Sequence, residues 1–278
     1  MEEATIIGPL VIIGGHEDKF EHPKILRRLT DLVRSYRSDG AIAIVTTASH
    51  QGALSFDTYH RAFTQFGLQV FPLRIDTRRE AELPQVREAL GDAAGVFFTG
   101  GDQLRITSVL GGTAFHRALW SAWQQGLVVA GTSAGASMMS RTMIVAGDAK
   151  ESPARNTVKM APGMGLWAEA VIDQHFSQRG RVGRLLSAVA QNPEVLGIGI
   201  DENTALIVEL DDQRCRVMGE GTVLVIDGQE SILNNASETR PDQALALSDV
   251  RLHVLPDGYG IELATRSPYP LKVVHDDN

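Results

Sequence analysis

Apolar runs alternate with amphipathic stretches along the first half of the chain. Continuous apolar runs predict strands over 10–13, 41–46, 69–73, 96–99 and 126–130. Apolar residues at helical spacing predict helices over 23–36, 58–66 and 114–125. Strands that are apolar throughout, and that are separated by helices, are typical of a parallel sheet covered on both faces. The pattern therefore predicts an α/β fold with a mostly parallel sheet.

From about residue 205 the apolar runs become short and alternating, with turn signals between them. Strands are predicted over 205–209, 216–218, 222–226 and 251–255. We expect these strands to be antiparallel, and either to extend the parallel sheet or to cap it. No linker rich in proline, serine or charge divides the chain, so we expect a single domain over 1–278.

The composition is that of a globular, enzyme-sized protein, with 43% hydrophobic and 22% charged residues in a chain of 278. These proportions exclude collagen, coiled coil and a disordered chain. The net charge is -8 and the 26 basic residues are mostly scattered, so nucleic acid is not an expected partner. No run approaches the roughly 18 apolar residues of a membrane span, so no membrane partner is expected either.

The N-terminal segment and the cysteine content bear on the compartment. Residues 1–7 are acidic and then only briefly apolar, unlike a signal peptide. The single cysteine, Cys215, cannot form a disulfide within the chain, which suits a reducing compartment. We therefore expect a cytoplasmic protein. Metal-ligand spacings, a Walker loop and a dinucleotide fingerprint are all missing from the sequence, so neither a metal nor a cofactor is expected.

The motif Gly131-Thr132-Ser133-Ala134-Gly135 lies between a predicted strand and a helix rich in small residues. A G-x-S-x-G motif in that position strains the serine backbone and makes the hydroxyl project above the sheet. Ser133 is therefore the candidate nucleophile. The backbone N–H of Ala134, at the start of the helix, is a candidate oxyanion donor. The alternative is a glycine-rich turn whose serine only caps the helix.

Three other turns offer a second oxyanion donor, a base and an acid. The turn 100–103 exposes backbone amides at a strand end, where α/β sheets place their sites, and Gly101 is the candidate donor. Asp102 in the same turn also suits a helix cap. His175 ends an apolar stretch and is the candidate base, and Glu202, at a strand-to-strand junction, is the candidate acid that orients it. Either could instead be an ordinary surface or turn residue.

Five blocks of the sequence together resemble the serine-peptidase family that includes the cyanophycinases and bacterial aspartyl dipeptidase. The blocks are 11–15, 98–103, 131–136, 173–176 with the arginines that follow, and 197–202. The resemblance covers nearly the whole chain. It implies a flavodoxin-like, doubly wound fold related to class I glutamine amidotransferases, with serine in place of their cysteine, and it implies a homodimer.

The resemblance also implies a catalytic triad of Ser133, His175 and Glu202. Glu151, which lies between the serine and the histidine in sequence, stays open as another candidate for the acid. The chain departs from the family pattern at His16, where similar chains often carry alanine. We attach no loss of activity to this departure.

The substrate that the resemblance implies is cyanophycin, a poly-aspartate whose side-chain carboxyls carry arginines through their α-amines. Its cleavage releases β-aspartyl-arginine dipeptides. Guanidinium and carboxylate groups call for acidic and basic partners respectively, and the matched blocks hold both. Asp173 is expected to accept the guanidinium. The other expected substrate contacts are Gln103, Gln174, Arg179, Arg181 and Arg184. Without the resemblance, the arginines would be assigned to a solvated helix start.

Other functions stay open on the sequence alone. An aspartyl dipeptidase acting on small α-linked Asp-X peptides is disfavoured by the arginine-bearing block. A non-catalytic binding module of the same fold is disfavoured by the intact serine, histidine and glutamate. A cysteine-type amidotransferase is disfavoured because Cys215 lies away from any strand-to-helix turn.

Overall fold

The computed structural model of the protein describes residues 6–147, 152–240 and 243–271. The strands in these ranges are β1 (Leu10–Ile13), β2 (Ala41–Val45), β3 (Gln69–Leu73), β4 (Ala93–Phe98), β5 (Val128–Thr132), β6 (Thr142–Gly147), β7 (Val158–Pro162), β8 (Ala170–Gln174), β9 (Leu196–Ile200), β10 (Thr204–Glu209), β11 (Arg214–Gly219), β12 (Thr222–Asp227), β13 (Arg251–Pro256), β14 (Tyr259–Glu262) and β15 (Ser267–Pro270). The helices are α1 (Lys24–Tyr36), α2 (Gly52–Thr64), α3 (Pro84–Asp92), α4 (Gln103–Leu110), α5 (Ala114–Trp123), α6 (Ala134–Ser137) and α7 (Val182–Gln191).

The larger sheet contains nine of the described strands, in the order β15-β14-β11-β10-β1-β5-β4-β2-β3. Strands β1 to β5 are parallel to one another. Strand β10 pairs antiparallel with β1 and begins an antiparallel extension. The predicted α/β class, with parallel strands first and antiparallel strands later, is confirmed.

A second sheet holds four described strands in the order β13-β12-β9-β8. Strands β8 and β9 are parallel, and the other pairs are antiparallel. The late strands therefore do not all extend the first sheet: β10 and β11 join it, whereas β12 and β13 join the second. A separate hairpin is formed by β6 and β7.

The core shows why the strands of the parallel region are apolar throughout. Leu10 and Ile12 pack into one buried cluster, which also contains Ile198 from the second sheet. The alternate residues of β1, Val11 and Ile13, pack into another cluster with α1 and α2. Successive side chains of a strand point to opposite faces, so both faces of β1 are covered. The first cluster therefore contains residues of both sheets. One domain over 1–278 stays a prediction.

Among the residues that the structure describes, no helix has the combination of length and apolar character needed to cross a bilayer.

Candidate active site

The site lies where ends of strands from both sheets meet. Ser133 follows β5 of the larger sheet, and His175 and Glu202 follow β8 and β9 of the second sheet. The end of β1 connects these turns. The carbonyl oxygens of residues 13, 14 and 15 accept the backbone N–H groups of Ser133, His175 and Asn203 at 3.0, 2.8 and 2.9 Å. One short loop therefore fixes the turns that carry the candidate nucleophile, base and acid.

Ser133 has the strained backbone that its motif predicts. Its φ of 53° and ψ of -109° place a residue with a side chain in a region favoured by glycine. The motif glycines allow the turn to pack closely. A Cβ on Gly131 would lie 2.3 Å from the carbonyl oxygen of Gly135, and one on Gly135 would lie 2.3 Å from that of Phe98. The small residues are needed because the turn packs directly against β4.

Ser133, His175 and Glu202 form a continuous hydrogen-bonded path. The Oγ of Ser133 lies 3.0 Å from Nε2 of His175, and Nδ1 of His175 lies 2.7 Å from Oε1 of Glu202. A carboxylate can only accept, so the imidazole proton lies on Nδ1 and Nε2 is free to accept from the serine hydroxyl. This arrangement can transfer a proton from the serine to the imidazole while the carboxylate stabilises the resulting charge.

The surroundings favour the protonation states that this transfer requires. Burial lowers the pKa of His175, the hydrogen bond to Glu202 opposes this effect, and the charge of Arg179 adds to it. The imidazole is therefore neutral near pH 7. Partial burial acts to raise the pKa of Glu202, but the hydrogen bond from His175 and the nearby His16 outweigh it, so its pKa is lowered. Glu202 is therefore ionised.

A cavity of about 240 Å³ opens beside Ser133. It is lined by Gly15, His16, Glu17, Lys19, Tyr59, Gly100, Thr132, Ser133, His175 and Arg179. Two cations, Lys19 and Arg179, contribute to this lining. Arg179, one of the expected substrate contacts, thus lies at the cavity, and its contact with substrate stays a prediction.

A buried carboxylate, Glu17, supports the nucleophile turn from one side of the cavity. Glu17 is only 3% exposed and accepts hydrogen bonds from the hydroxyls of Tyr59 and Thr132, the latter at 2.6 Å. The ammonium of Lys19 lies 3.1 Å from the same carboxylate. Burial, together with the charge of Glu17, raises the pKa of the Tyr59 hydroxyl, which therefore stays protonated and donates. Thr132 directly precedes Ser133, so Glu17 holds the strand end that presents the serine. Sequence spacing gives no signal for this role.

Comparison with known proteins identifies the family. The model of peptidase family S51 matches residues 10–216. The chain belongs to peptidase family S51. It is 40% identical over 263 residues to the cyanophycinase of Trichormus variabilis, covering 94% of this chain and 87% of that protein. It is 37% identical over 263 residues to the cyanophycinase of Geminocystis herdmanii, covering 93% and 95%. The family resemblance is confirmed, and the protein is a serine peptidase.

A solved structure shows the same fold. The crystal structure of a peptidase from an acI-B1 Actinobacterium matches with a TM-score of 0.68 and covers 93% of this chain and 98% of its own. The two sequences are 22% identical. At that identity the likeness supports the fold and carries no information on substrate.

The residues expected to contact substrate do not all reach the cavity of this S51 peptidase. Asp173 is 1% exposed and accepts from Arg184 through both carboxylate oxygens, with Nε to Oδ2 at 2.6 Å. Arg181 also donates to Asp173, at 3.1 Å, and to the side-chain oxygen of Gln174, at 3.0 Å. All four side chains are less than a tenth exposed. The four side chains are bonded to one another inside the protein, although Nε of Arg181 lies buried without a hydrogen-bond partner. The expectation that Asp173, Gln174, Arg181 and Arg184 bind substrate stays a prediction.

The Gly100-Gly101 turn lies beside the nucleophile. A Cβ on Gly100 would lie 3.9 Å from Oγ of Ser133. Gly101 has a φ of 145°, and a Cβ there would lie 2.1 Å from a backbone oxygen, so only glycine fits. Asp102 caps α4 by accepting the N–H two residues later at 2.9 Å. The turn therefore caps α4 through Asp102, as one interpretation of the sequence predicts. It also lies where an oxyanion donor is needed, beside Ser133.

The remaining candidates differ in where they lie in this S51 peptidase. Gln103 uses its side-chain amide to donate to the carbonyl of Ile144 at 3.0 Å, so that amide is committed to the backbone. Ala134 is the first residue of α6, where an N–H has no acceptor in its own helix. Glu151 lies outside the described residues.

Proposed function

We propose that this S51 peptidase hydrolyses cyanophycin to β-aspartyl-arginine dipeptides through an acyl-enzyme on Ser133. The observation that carries the proposal is the hydrogen-bonded path from Ser133 through His175 to Glu202, which opens onto a cavity. The substrate is supported by relatives called cyanophycinases, which match 93–94% of the chain. Glu202, rather than Glu151, is assigned as the acid because it contacts the imidazole.

The reaction begins when Oγ of Ser133 attacks a backbone carbonyl carbon of the poly-aspartate. His175 takes the serine proton on Nε2, and Glu202 stabilises the imidazolium that forms. The C–N bond then breaks, and the imidazolium gives its proton to the leaving amine. A water molecule, deprotonated by His175, attacks the ester carbon. The C–Oγ bond breaks, the proton returns from Nε2 to the serine oxygen, and the acid product leaves.

Two backbone amides are proposed to hold the oxyanion of the tetrahedral intermediate. They belong to Gly101 and Ala134. Support comes from the position of the Gly100-Gly101 turn beside Ser133 and from the place of Ala134 directly after it. Donors of this kind contribute by being fixed before charge develops, and losing one costs on the order of 10²–10³ in rate.

Substrate binding is proposed to use Arg179, which lines the cavity and carries the charge that a carboxylate of the arginine-bearing chain requires. Lys19 also lines the cavity, but its ammonium is paired with Glu17. Arg179 is exposed beside the site, whereas Arg181 and Arg184 are buried. A homodimer, supported by the family resemblance alone, and a cytoplasmic location, supported by the single cysteine, complete the proposal.

Incubation with purified cyanophycin, followed by mass analysis of the products, tests the function. We expect the mass of the β-aspartyl-arginine dipeptide from the wild-type protein and none from Ser133→Ala. Faster cleavage of a simple Asp-X dipeptide than of cyanophycin would replace the proposal with an aspartyl dipeptidase. Failure to cleave either substrate would favour a binding module.

A further inference from the structure

His16 contacts the half of the Glu202 carboxylate that His175 leaves free. Its Nδ1 lies 3.2 Å from Oε2 of Glu202, and 73% of its side chain is exposed. The His16 ring meets the His175 ring edge-on, with centroids 5.1 Å apart. Within the described parts of the chain, these three residues each offer a ligand atom, and the atoms lie within 4.8 Å of one another. Two imidazoles and one carboxylate are a donor set that zinc favours.

We propose that His16, His175 and Glu202 form an inhibitory binding site for Zn²⁺. The inhibition of peptide hydrolysis rests on the proposed function, whereas the binding of Zn²⁺ does not. Sequence spacing predicts no metal site because His16 follows β1 whereas the other two ligands follow strands of the second sheet. The fold, rather than a local motif, brings the ligands together.

Two of the three distances between ligand atoms can be compared with the spacing in a tetrahedral zinc site, and the third is within 4.8 Å. Zn–N and Zn–O bonds of about 2.0–2.2 Å place neighbouring ligand atoms roughly 3.3–3.5 Å apart. The 3.2 Å between His16 and Glu202 already approaches this spacing. The 2.7 Å between Nδ1 of His175 and Glu202 has to open by about half an ångström or more to reach it. The exposed His16 leaves access from solvent, and water can take the fourth position.

Metal binding would disable the base by changing its tautomer. Zn²⁺ takes the lone pair of Nδ1 on His175, so the proton that Nδ1 carried moves to Nε2. A protonated Nε2 donates to the oxygen of Ser133 and cannot accept its proton. Glu202 is at the same time drawn onto the metal. Inhibition should therefore be complete when the site is filled, and removal of the metal by a chelator should reverse it.

Titration of peptidase activity with ZnCl₂ tests the effect on catalysis. The variants are His16→Asn and His16→Ala, and His22→Ala is the control because His22 is an exposed histidine of the same segment. Asparagine suits the φ of 50° at residue 16 and removes the imidazole. We expect Zn²⁺ to inhibit the wild-type and His22→Ala proteins, with recovery in EDTA. Each His16 variant should need at least about tenfold more Zn²⁺, since loss of even an outer-shell partner costs 10–100-fold in affinity. Mg²⁺, which prefers oxygen ligands, should not inhibit.

Binding is measured separately, by calorimetric titration of Zn²⁺ into Ser133→Ala with and without His16→Asn. This readout needs no turnover, so it stays interpretable if cyanophycin is not the substrate. We expect one site per chain in Ser133→Ala and a loss of affinity of at least about tenfold in the double variant. Absence of binding to Ser133→Ala, equal affinity in the two proteins, or equal inhibition of wild type and His16→Asn would overturn the proposal.

Discussion

Asp173 and His175 are separated by one residue and belong to two clusters with opposite properties. The triad cluster (Ser133, His175 and Glu202) opens onto the cavity, whereas the arginine cluster (Asp173, Arg181 and Arg184) is buried and internally paired. In a continuous strand, residues two apart share a face. Here β8 ends at residue 174 and His175 takes a φ of 48°, which redirects its side chain. Residues of one sequence block can therefore divide between chemistry and structure.

The two clusters also differ in what their charges are available for. In the arginine cluster, Asp173 joins the end of β8 to Arg181 and Arg184 at the start of α7. A buried ion pair of this kind fixes geometry, and breaking it leaves an uncompensated charge. In the triad cluster, Nε2 of His175 faces a hydroxyl that can give up its proton. The first cluster holds the turn in place, and the second can react.

The largest expected effect of a single side-chain change, apart from loss of the nucleophile, is at Glu202. Glu202→Gln should lower kcat by on the order of 10³–10⁴ with little change in KM, because the orienting carboxylate acts mainly in the transition state. Steady-state kinetics on cyanophycin measure this. Glu151→Gln is the control and should be much milder. A larger loss from Glu151→Gln would transfer the role to Glu151.

Removal of the acid from the arginine cluster should affect stability instead. Asp173→Asn leaves two buried guanidinium groups without their anion, and should lower the free energy of unfolding by about 3–5 kcal/mol. Urea unfolding measures the change. Arg179→Ala, an exposed neighbour, should stay within about 0.5 kcal/mol of wild type. If Asp173→Asn is as stable as wild type but has a raised KM for cyanophycin, Asp173 binds substrate after all.

Gly15 packs directly against the imidazole of His175, so a substitution there tests how much the rate depends on the position of the base. A Cβ at Gly15 would lie 2.3 Å from Cε1 of His175, so Gly15→Ala should displace the imidazole. A misplacement of this size is expected to cost on the order of 10² in kcat. Gly258→Ala is the matched control, because Gly258 also has a positive φ, 84°, but open space around it. Equal rates for the two variants would contradict the close packing of Gly15 on the base.

Much of the parallel half could be predicted from the sequence. β1 has the predicted bounds, and the strand before Ser133 covers 128–132 instead of the predicted 126–130, so it runs through the first two residues of the motif. α2 begins at Gly52, earlier than the predicted 58. The pattern missed this start because the buried residues of the helix all lie in its second half. The division of the late strands between two sheets was not predictable. Short alternating strands such as β12 have the same pattern whichever sheet they join.

The candidate site was only partly predictable, for a related reason. The motif around Ser133 predicts the strained turn that presents the hydroxyl. In the structure, His175 lies within hydrogen-bonding distance of both Ser133 and Glu202. The sequence shows that Asp173 is followed by arginines but not that they pair with it. That outcome depends on how α7 packs against β8, which is a tertiary contact without a local signature.

The smallest expected effect is on substrate affinity, at Arg179. This residue lines the cavity of the triad cluster and is not part of the arginine cluster. Arg179→Ala should raise KM for cyanophycin by about tenfold, the cost of one charge-assisted hydrogen bond, with kcat nearly unchanged. The shift should be smaller for a simple Asp-X dipeptide that lacks the arginine unit. Arg181→Ala is the comparison and should lose stability instead. An unchanged KM in Arg179→Ala would remove this residue from the substrate site.

The central claim is that the triad cluster makes Ser133 the nucleophile. The most direct measurement is reaction with a fluorophosphonate, location of the adduct by peptide mass analysis, and cyanophycin turnover by Ser133→Ala. We expect one adduct on Ser133, none in Ser133→Ala, and a loss of turnover of several orders of magnitude, to roughly the 10³–10⁴ over water that binding and the oxyanion hole alone provide. An adduct on another residue, or turnover at the wild-type rate by a folded Ser133→Ala protein, would contradict the claim.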